Sequence, residues 1–417
     1  MIGEGHMSEK TTYLIIGAGL AGARAAEALR ERDTAGRIVL VGDEPYLPYH
    51  RPHLSKKYLM GKRPLEKVFF KPPEFYAERH IETLTGRTAI GLNPQAHEVT
   101  LHAGSVWRYD RLLLATGAEP RRLNIPGNDL AGIYYLRTVP DSDELRAAMA
   151  QSQQAAIIGG GFIGAEVASA FAQSGVHTTL LFREDLLLSY HVGPIVGRFL
   201  TDYFTQKGVT IRSGVNVDAF IGADRLKGVR LASGEIIPAD TAVVGAGVIP
   251  RIALAQQARL AIEHNGVAVD EYLQSSNADI FAAGDMATAW SPLYHRRMRI
   301  EHWDVARQQG RIAGLNMAGD RVPWNELPYF YSDLFDLDIQ AYGDLFQWDA
   351  VIQRGPADPA ARPALTVFYL YQNQLRGALV INPAEGQLEA IQALLKTVPT
   401  LSAADRARLV DPAAPLP

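Results

Sequence analysis

The sequence predicts an α/β protein of two similar doubly wound units followed by a smaller α+β domain, and three observations carry that prediction. A glycine-rich strand–turn–helix segment occurs twice. Each copy is followed by an alternating hairpin and a buried strand. Near Glu326 the pattern changes to the two-residue alternation of an antiparallel sheet.

The first copy runs TTYLIIGAGLAGARAAEALRERD and then RIVLVGDE; the second runs QQAAIIGGGFIGAEVASAFAQSG and then VHTTLLFRE. Each reads as an apolar strand, a glycine turn, an alanine-rich helix and a second apolar strand ending in acid. The interval from Gly17 to Asp43 nearly equals that from Gly159 to Glu184, a little over the ~20 residues usual in dinucleotide motifs. Gly17 and Gly159 permit the tight turn, and Gly19 and Gly161 let a pyrophosphate approach the backbone. Gly22 and Gly164 let helix and strand pack closely. The N-terminus of each helix then favours an anion by roughly 0.3–1 kcal/mol through its free N–H groups and dipole. One such motif is a weak signal. Two structural turns without ligands leave the duplication unexplained, so both units are expected to be Rossmann-like dinucleotide-binding domains.

Between the copies, AHEVTLHAGSVWRYDRLLLATGAEP alternates and turns at Gly104, a hairpin leading into a buried strand. LKGVRLASGEIIPADTAVVGAGVIP repeats that design after the second copy. DIFAAGDMATA adds an apolar strand stopping at Gly284-Asp285, which sets a carboxylate at the strand edge where ligands gather in open α/β sheets. The expected division is a discontinuous first domain of residues 11–122 and 247–324, with residues 123–246 inserted as a second domain. Residues 325–417 form the α+β domain, built on DLDIQAYG, LTVFYLYQNQLRGALVIN and a helix in PAEGQLEAIQALLKTV. Residues 1–10 read as a disordered leader, in which Gly-His-Met at 5–7 suggests an expression scar with Met7 as the natural start.

With 47% apolar and 21% charged residues over 417, the chain can bury large cores. A net charge of −4 with interleaved signs points to neither a nucleic-acid nor an anionic-membrane partner, and no apolar run is long enough to span a bilayer. There is no cysteine, which removes disulfides, thiolate metal sites, iron–sulfur ligation and the redox dithiol of a disulfide reductase. Redox chemistry must come from a bound cofactor. No metal site is expected, and the expected location is the cytoplasm.

Taken together, LIIGAGLAG, PYHRPHLSK, LLLATGAEPR, IIGGGFIGAE and FAAGD resemble the FAD-dependent ferredoxin reductases that serve oxygenases and P450 systems, the putidaredoxin-reductase-like group. RRMRIEHW and YFYSDLFDL are similar to a sister branch, apoptosis-inducing factor. The resemblance covers about residues 11 to 345 and, more loosely, the remainder. It implies a glutathione-reductase-type fold, FAD in the first repeat, NAD(P)H in the second, and delivery of electrons to a [2Fe–2S] ferredoxin. It further implies that Asp43 or Glu44 holds the FAD ribose and that Arg51 and Lys56 reach the flavin side. Thr116 and Gly117 would line the pyrophosphate channel, with Asp285 near the ribityl chain and phosphates. Glu301, His302 and Trp303 would line the opposite flavin edge as binding residues. On the NAD(P)H side, Ile163 and Gly247 join the glycines, and Phe162 is either the gate of the nicotinamide slot or a hydrophobic plug.

The resemblance also makes Lys56 and Glu166 a catalytic pair beside the flavin, each keeping the other charged where either alone is costly. Without it, they read as a solvated loop lysine and a first-turn helix charge. Three residues depart from the family pattern: His53 at the second proline of an RPPLSK-like stretch, Tyr331 at an aromatic position often held by tryptophan, and Arg251 where asparagine is common. At the end of the second-repeat strand, Arg183 would attract a ribose 2′-phosphate and Glu184 would bind the free 2′-hydroxyl. Adjacent, they lean slightly to NADH. Arg296, Arg297, Arg299, Arg307 and Arg311 suggest either a landing patch for an acidic partner or, preferably, a solvated helix face. The alternative to the reductase is a redox-responsive interaction protein that forms a long-lived charge-transfer complex. A homodimer is compatible with either.

Overall fold

The computed structural model describes residues 10–359 and 364–417, so the expected leader lies outside the described residues apart from Lys10. The chain forms two compact units, each discontinuous. One comprises the chain up to His50, Phe69–Ala118 and Pro250–Glu326; the other comprises Arg51–Val68, Glu119–Ile249 and Leu327 onward.

The first unit is built on a five-stranded parallel sheet in the order Ile280–Ala282, Arg111–Leu114, Thr12–Ile16, Arg37–Val41, Ile81–Leu84. Leu14, Ile15, Ile38, Val39, Leu112, Leu113 and Ile280 are fully buried, as parallel strands covered on both faces require. Helix Leu20–Arg32 meets helix Trp303–Met317 at backbone distance. A Cβ on Gly310 would fall 2.2 Å from the Ala21 oxygen, and one on Gly314 would fall 2.5 Å from the Ala25 oxygen. Glycines one turn apart on one helix, facing alanines on the other, are what allow that approach. An antiparallel meander of Ala89–Asn93, Glu98–Leu101 and Val106–Arg108 leads into the strand Arg111–Leu114, with its second turn at Gly104, φ 86°.

The second unit repeats this plan. Its parallel sheet runs Thr210–Arg212, His177–Leu181, Gln154–Ile158, Thr241–Val244, Ile133–Tyr134. Its meander is Val217–Gly222, Leu226–Leu231 and Ile236–Pro238. The register of the two repeats is equivalent. Ile16 pairs with Val41 and Ile158 with Leu181, and the next residue, Gly17 or Gly159, donates its N–H to that partner's carbonyl at 2.8 Å.

The same unit carries an antiparallel five-stranded sheet in the order Tyr329–Leu334, Leu337–Gly343, Gln374–Ile381, Leu365–Tyr371, Ala350–Arg354. Helices Gln387–Leu395 and Ala403–Val410 follow it, the latter started by a reciprocal Ser402–Asp405 cap. Two parallel sheets of the Rossmann kind and a C-terminal α+β element are the fold class the sequence predicts. Among the described residues no helix is long and apolar enough to cross a membrane, and no group of His, Asp and Glu is arranged to hold a metal ion.

Candidate functional site

Each glycine turn has a backbone reason for its outer glycines. A Cβ on Gly17 would lie 2.1 Å from the Ala115 oxygen and one on Gly159 would lie 2.2 Å from the Gly245 oxygen; both residues have φ near +118°. A Cβ on Gly22 or Gly164 would strike the carbonyl of the first glycine, at 2.0 and 1.9 Å. The middle glycines open outward instead. Gly19 has no atom within 4 Å of its Cβ position. Gly19 and Gly161 are the N-caps of helices Leu20–Arg32 and Phe162–Gln173, and neither helix has a side-chain cap or an acidic residue in its first turn. Uncapped N–H groups beside a glycine whose missing side chain leaves room are the features a dinucleotide pyrophosphate needs. The residues fit FAD and NAD(P)H in that respect.

In the second unit, Lys56, just past a 3₁₀ turn (Arg51–Ser55), comes together with Glu166 of the helix Phe162–Gln173. Lys56 Nζ lies 3.2 Å from Glu166 Oε1, and both side chains are 7% exposed. Neither is the solvated charge that the sequence alone allows. Strand Tyr329–Leu334 completes the cluster: Ser332 Oγ donates to Glu166 Oε1 at 2.7 Å, and Ser55 Oγ donates to Oε2. Both serines are buried, so each carboxylate oxygen is satisfied by a hydroxyl, which a buried charge requires. Lys56 Nζ also sits 4.3 Å from the Tyr331 ring centroid and 3.9 Å from Asp333 Oδ2, a cation–π contact added to the ion pair. Burial pushes the Tyr331 phenol pKa up.

Around the second turn, the Phe162 ring packs against His191 at 5.3 Å and Phe330 at 4.8 Å. Ile163 is 39% exposed. Gly247, at φ 89°, accepts the Arg121 N–H through its carbonyl. Arg183 is exposed and Glu184 half-buried beyond the strand His177–Leu181. Arg51 folds with this unit, its Nη1 donating to the Arg137 carbonyl at 2.6 Å.

In the first unit, both candidate ribose acids have protein partners. Asp43 Oδ2 accepts from Arg251 Nη1 at 2.5 Å and Glu44 Oε2 from Tyr49 OH at 2.5 Å. Thr116 Oγ1 donates to the Arg251 carbonyl at 2.6 Å, and Arg251 N donates back to Gly117 O at 2.9 Å. Arg251, a departure from the family pattern, therefore ties Asp43 to the Thr116–Gly117 turn. Asp285 is half-buried after Gly284, whose N–H donates to the buried Gln309 amide oxygen. Glu301 pairs with Arg299. His302 is the N-cap of helix Trp303–Met317, and Trp303 Nε1 donates to His50 Nδ1 at 3.0 Å.

Within the arginine cluster, Arg297 faces Glu263, Arg299 faces Glu301, Arg307 faces Asp304 and Arg311 faces Glu31. Local neutralisation leaves little of a basic patch. Sequence reasoning missed Ser55 and Ser332, the hydroxyls on Glu166, and also His191 and Arg251 as members of these sites. The LSK and YSD tripeptides hold the two serines beside residues already singled out, and that adjacency was the available signal.

Two nucleotide-type turns and a cysteine-free ion pair define a flavin-type pyridine-nucleotide oxidoreductase. The chain belongs to the pyridine nucleotide-disulphide oxidoreductase family, matched over residues 11–310, and residues 329–417 match the reductase C-terminal family. It is an oxidoreductase that uses FAD and NAD(P)H. It is 35% identical over 406 residues to the 5,5′-dehydrodivanillate O-demethylase ferredoxin reductase subunit of a Sphingobium species, covering 97% of each chain. It is 35% identical to putidaredoxin reductase of Pseudomonas putida over 383 residues, 90% of each. Among solved structures, the covalent putidaredoxin reductase–putidaredoxin complex matches with a TM-score of 0.89 at 32% identity, covering 96% of this chain and 98% of that one.

Proposed function

We propose that this chain is the reductase of an electron-transfer pair, taking reducing equivalents from NAD(P)H and delivering them to a [2Fe–2S] ferredoxin of an oxygenase-type system in the cytoplasm. The observation that carries the reading is the buried Lys56–Glu166 pair, set in a chain with no cysteine that could relay electrons instead. Relatives of nearly equal length that bear ferredoxin-reductase names support the acceptor class.

In this reading Gly17, Gly19 and Gly22 with the helix Leu20–Arg32 hold the FAD pyrophosphate, and Asp43 or Glu44 holds the ribose. Thr116, Gly117 and Asp285 line the same cofactor, with Arg51, Lys56, Glu301, His302 and Trp303 toward the flavin. Gly159, Gly161, Phe162, Ile163, Gly164, Arg183, Glu184 and Gly247 receive NAD(P)H. FAD, when bound, supplies a group that accepts a hydride and releases electrons singly. Lys56 is ion-paired with Glu166, which Ser55 and Ser332 hold in place, so a positioned lysine stands ready for negative charge that accumulates on reduction. Tyr331 lies against that cation and occupies the aromatic position next to the partner side. The division into domains of 11–122 with 247–324, 123–246 and 325–417 belongs to the same proposal.

Glu184 favours NADH by engaging the 2′-hydroxyl, with Arg183 exposed beside it. The test is NADH-driven reduction of cytochrome c through added [2Fe–2S] ferredoxin. The reading requires turnover that depends on ferredoxin. Flavin-bound protein that shows none would refute the acceptor class.

A further inference from the structure

The two glycine turns differ at their middle glycine. No atom lies within 4 Å of the Cβ position of Gly19, whereas Gly161 has one neighbour there, His191 Nε2 at 3.9 Å. His191 stands in a turn that is separately fixed. Leu188 N donates to Gly160 O at 2.9 Å, tying the turn to the glycine motif, and His191 N donates to Leu188 O at 2.8 Å. Gly193, at φ 73°, breaks the helix Ser189–Gln206 just after it, ahead of Pro194. The C-terminal sheet grips that break. Tyr369 OH, fully buried, donates to Val192 O at 2.7 Å, and a Cβ on Gly193 would fall 3.2 Å from the Trp348 ring. The imidazole packs on Phe162, and among the described residues neither ring nitrogen has a hydrogen-bond partner. Burial pushes its pKa down, opposed by the Glu184 carboxylate.

A polar ring with an idle nitrogen is thus held over Gly161, the glycine of the second turn whose bare backbone opens outward. We propose that His191 donates a hydrogen bond from Nε2 to the pyrophosphate of the pyridine nucleotide, a contact with no counterpart in the first repeat. This rests on the second repeat being the NAD(P)H site. Because the contact is to the pyrophosphate, NAD⁺ and NADP⁺ gain from it equally, and it does not set the choice between them.

The test is calorimetric titration of the flavin-loaded protein with ADP-ribose, NAD⁺ and NADP⁺, comparing wild type with His191→Ala and His191→Gln. Flavin absorbance and thermal midpoint serve as folding controls. The expected result is about tenfold weaker binding of all three ligands to His191→Ala, the scale of one lost hydrogen bond to a charged group. Partial recovery is expected in His191→Gln, whose amide still donates. Unchanged affinities in His191→Ala, or a loss confined to NADP⁺, would overturn the contact. A wild-type protein that bound no ADP-ribose would instead refute the nucleotide site itself.

Discussion

In the first repeat the residue after the first glycine of the turn, Ala18, carries a methyl group, and the residue after the second strand, Gly42, carries none. A Cβ on Gly42 would lie 2.5 Å from that of Ala18. In the second repeat the arrangement is exchanged: the residue after the first glycine is Gly160, and a Cβ there would lie 2.9 Å from the ring of Phe182, the residue after the second strand. The outer glycines are not exchangeable, since backbone oxygens about 2 Å away exclude any side chain in both copies. Two kinds of constraint are therefore mixed in one motif. The outer positions answer to the chain's own path, while the residue just after the first glycine, Ala18 or Gly160, shares a volume with the residue that follows the second strand.

The largest expected effect on ligand binding comes from the fixed positions. Gly22→Ala and Gly164→Ala each force a methyl onto a carbonyl and should cost at least about 1–3 kcal/mol locally, but with different losses. Gly22→Ala should purify without a flavin band. Gly164→Ala should keep the band and lose NAD⁺ binding in titration by more than about a hundredfold, or ~2.7 kcal/mol. Equal loss of both ligands in both variants would break the division of labour between the repeats.

Next is the buried pair of the second unit. Glu166→Ala leaves Lys56 buried without its carboxylate and should lower stability by about 3–5 kcal/mol, read by denaturant midpoint. Ser332→Ala removes one hydroxyl and should cost about 1 kcal/mol. An effect of Ser332→Ala on flavin reduction as large as that of Lys56→Met would show the serine to matter beyond positioning.

A smaller effect sharpens the contrast between the acid ends of the two repeats. Glu184→Gln should shift kcat/KM toward NADPH by about tenfold, roughly 1.4 kcal/mol, because the neighbouring Arg183 is then unopposed. No shift would mean that neither residue reads the ribose.

The smallest effect follows from His191, whose pKa is lowered mainly by burial. A base with a depressed folded-state pKa stabilises the fold fully above its unfolded value of about 6.5, and that contribution is lost as pH falls below it. Urea midpoints should therefore drop less between pH 7.5 and 5.5 in His191→Gln than in wild type, once the shared acid response of the carboxylates is subtracted.

The repeats were legible because their constraints are local. The glycine spacing, the alternating hairpins and the apolar strands are each contained within a few tens of residues, and they give both parallel sheets and the C-terminal antiparallel one. The buried pair was visible only through family resemblance, since Lys56, Glu166 and Ser332 are brought together by elements far apart in the chain. Nothing local marks His191. Its position depends on a helix broken at Gly193 and held by Tyr369 and Trp348 from the C-terminal sheet. The arginine cluster shows the converse limit: adjacency in sequence suggested a patch, yet Arg297 and Arg311 face acids from other segments and Arg299 and Arg307 face acids beside them.

The most direct measurement is anaerobic stopped-flow reduction by NADH, followed by mixing with [2Fe–2S] ferredoxin or with air. Rapid bleaching of the flavin band and fast reoxidation by ferredoxin are expected, with reoxidation by air far slower. Slow reduction that leaves a broad long-wavelength band stable in air, with no response to ferredoxin, would contradict it.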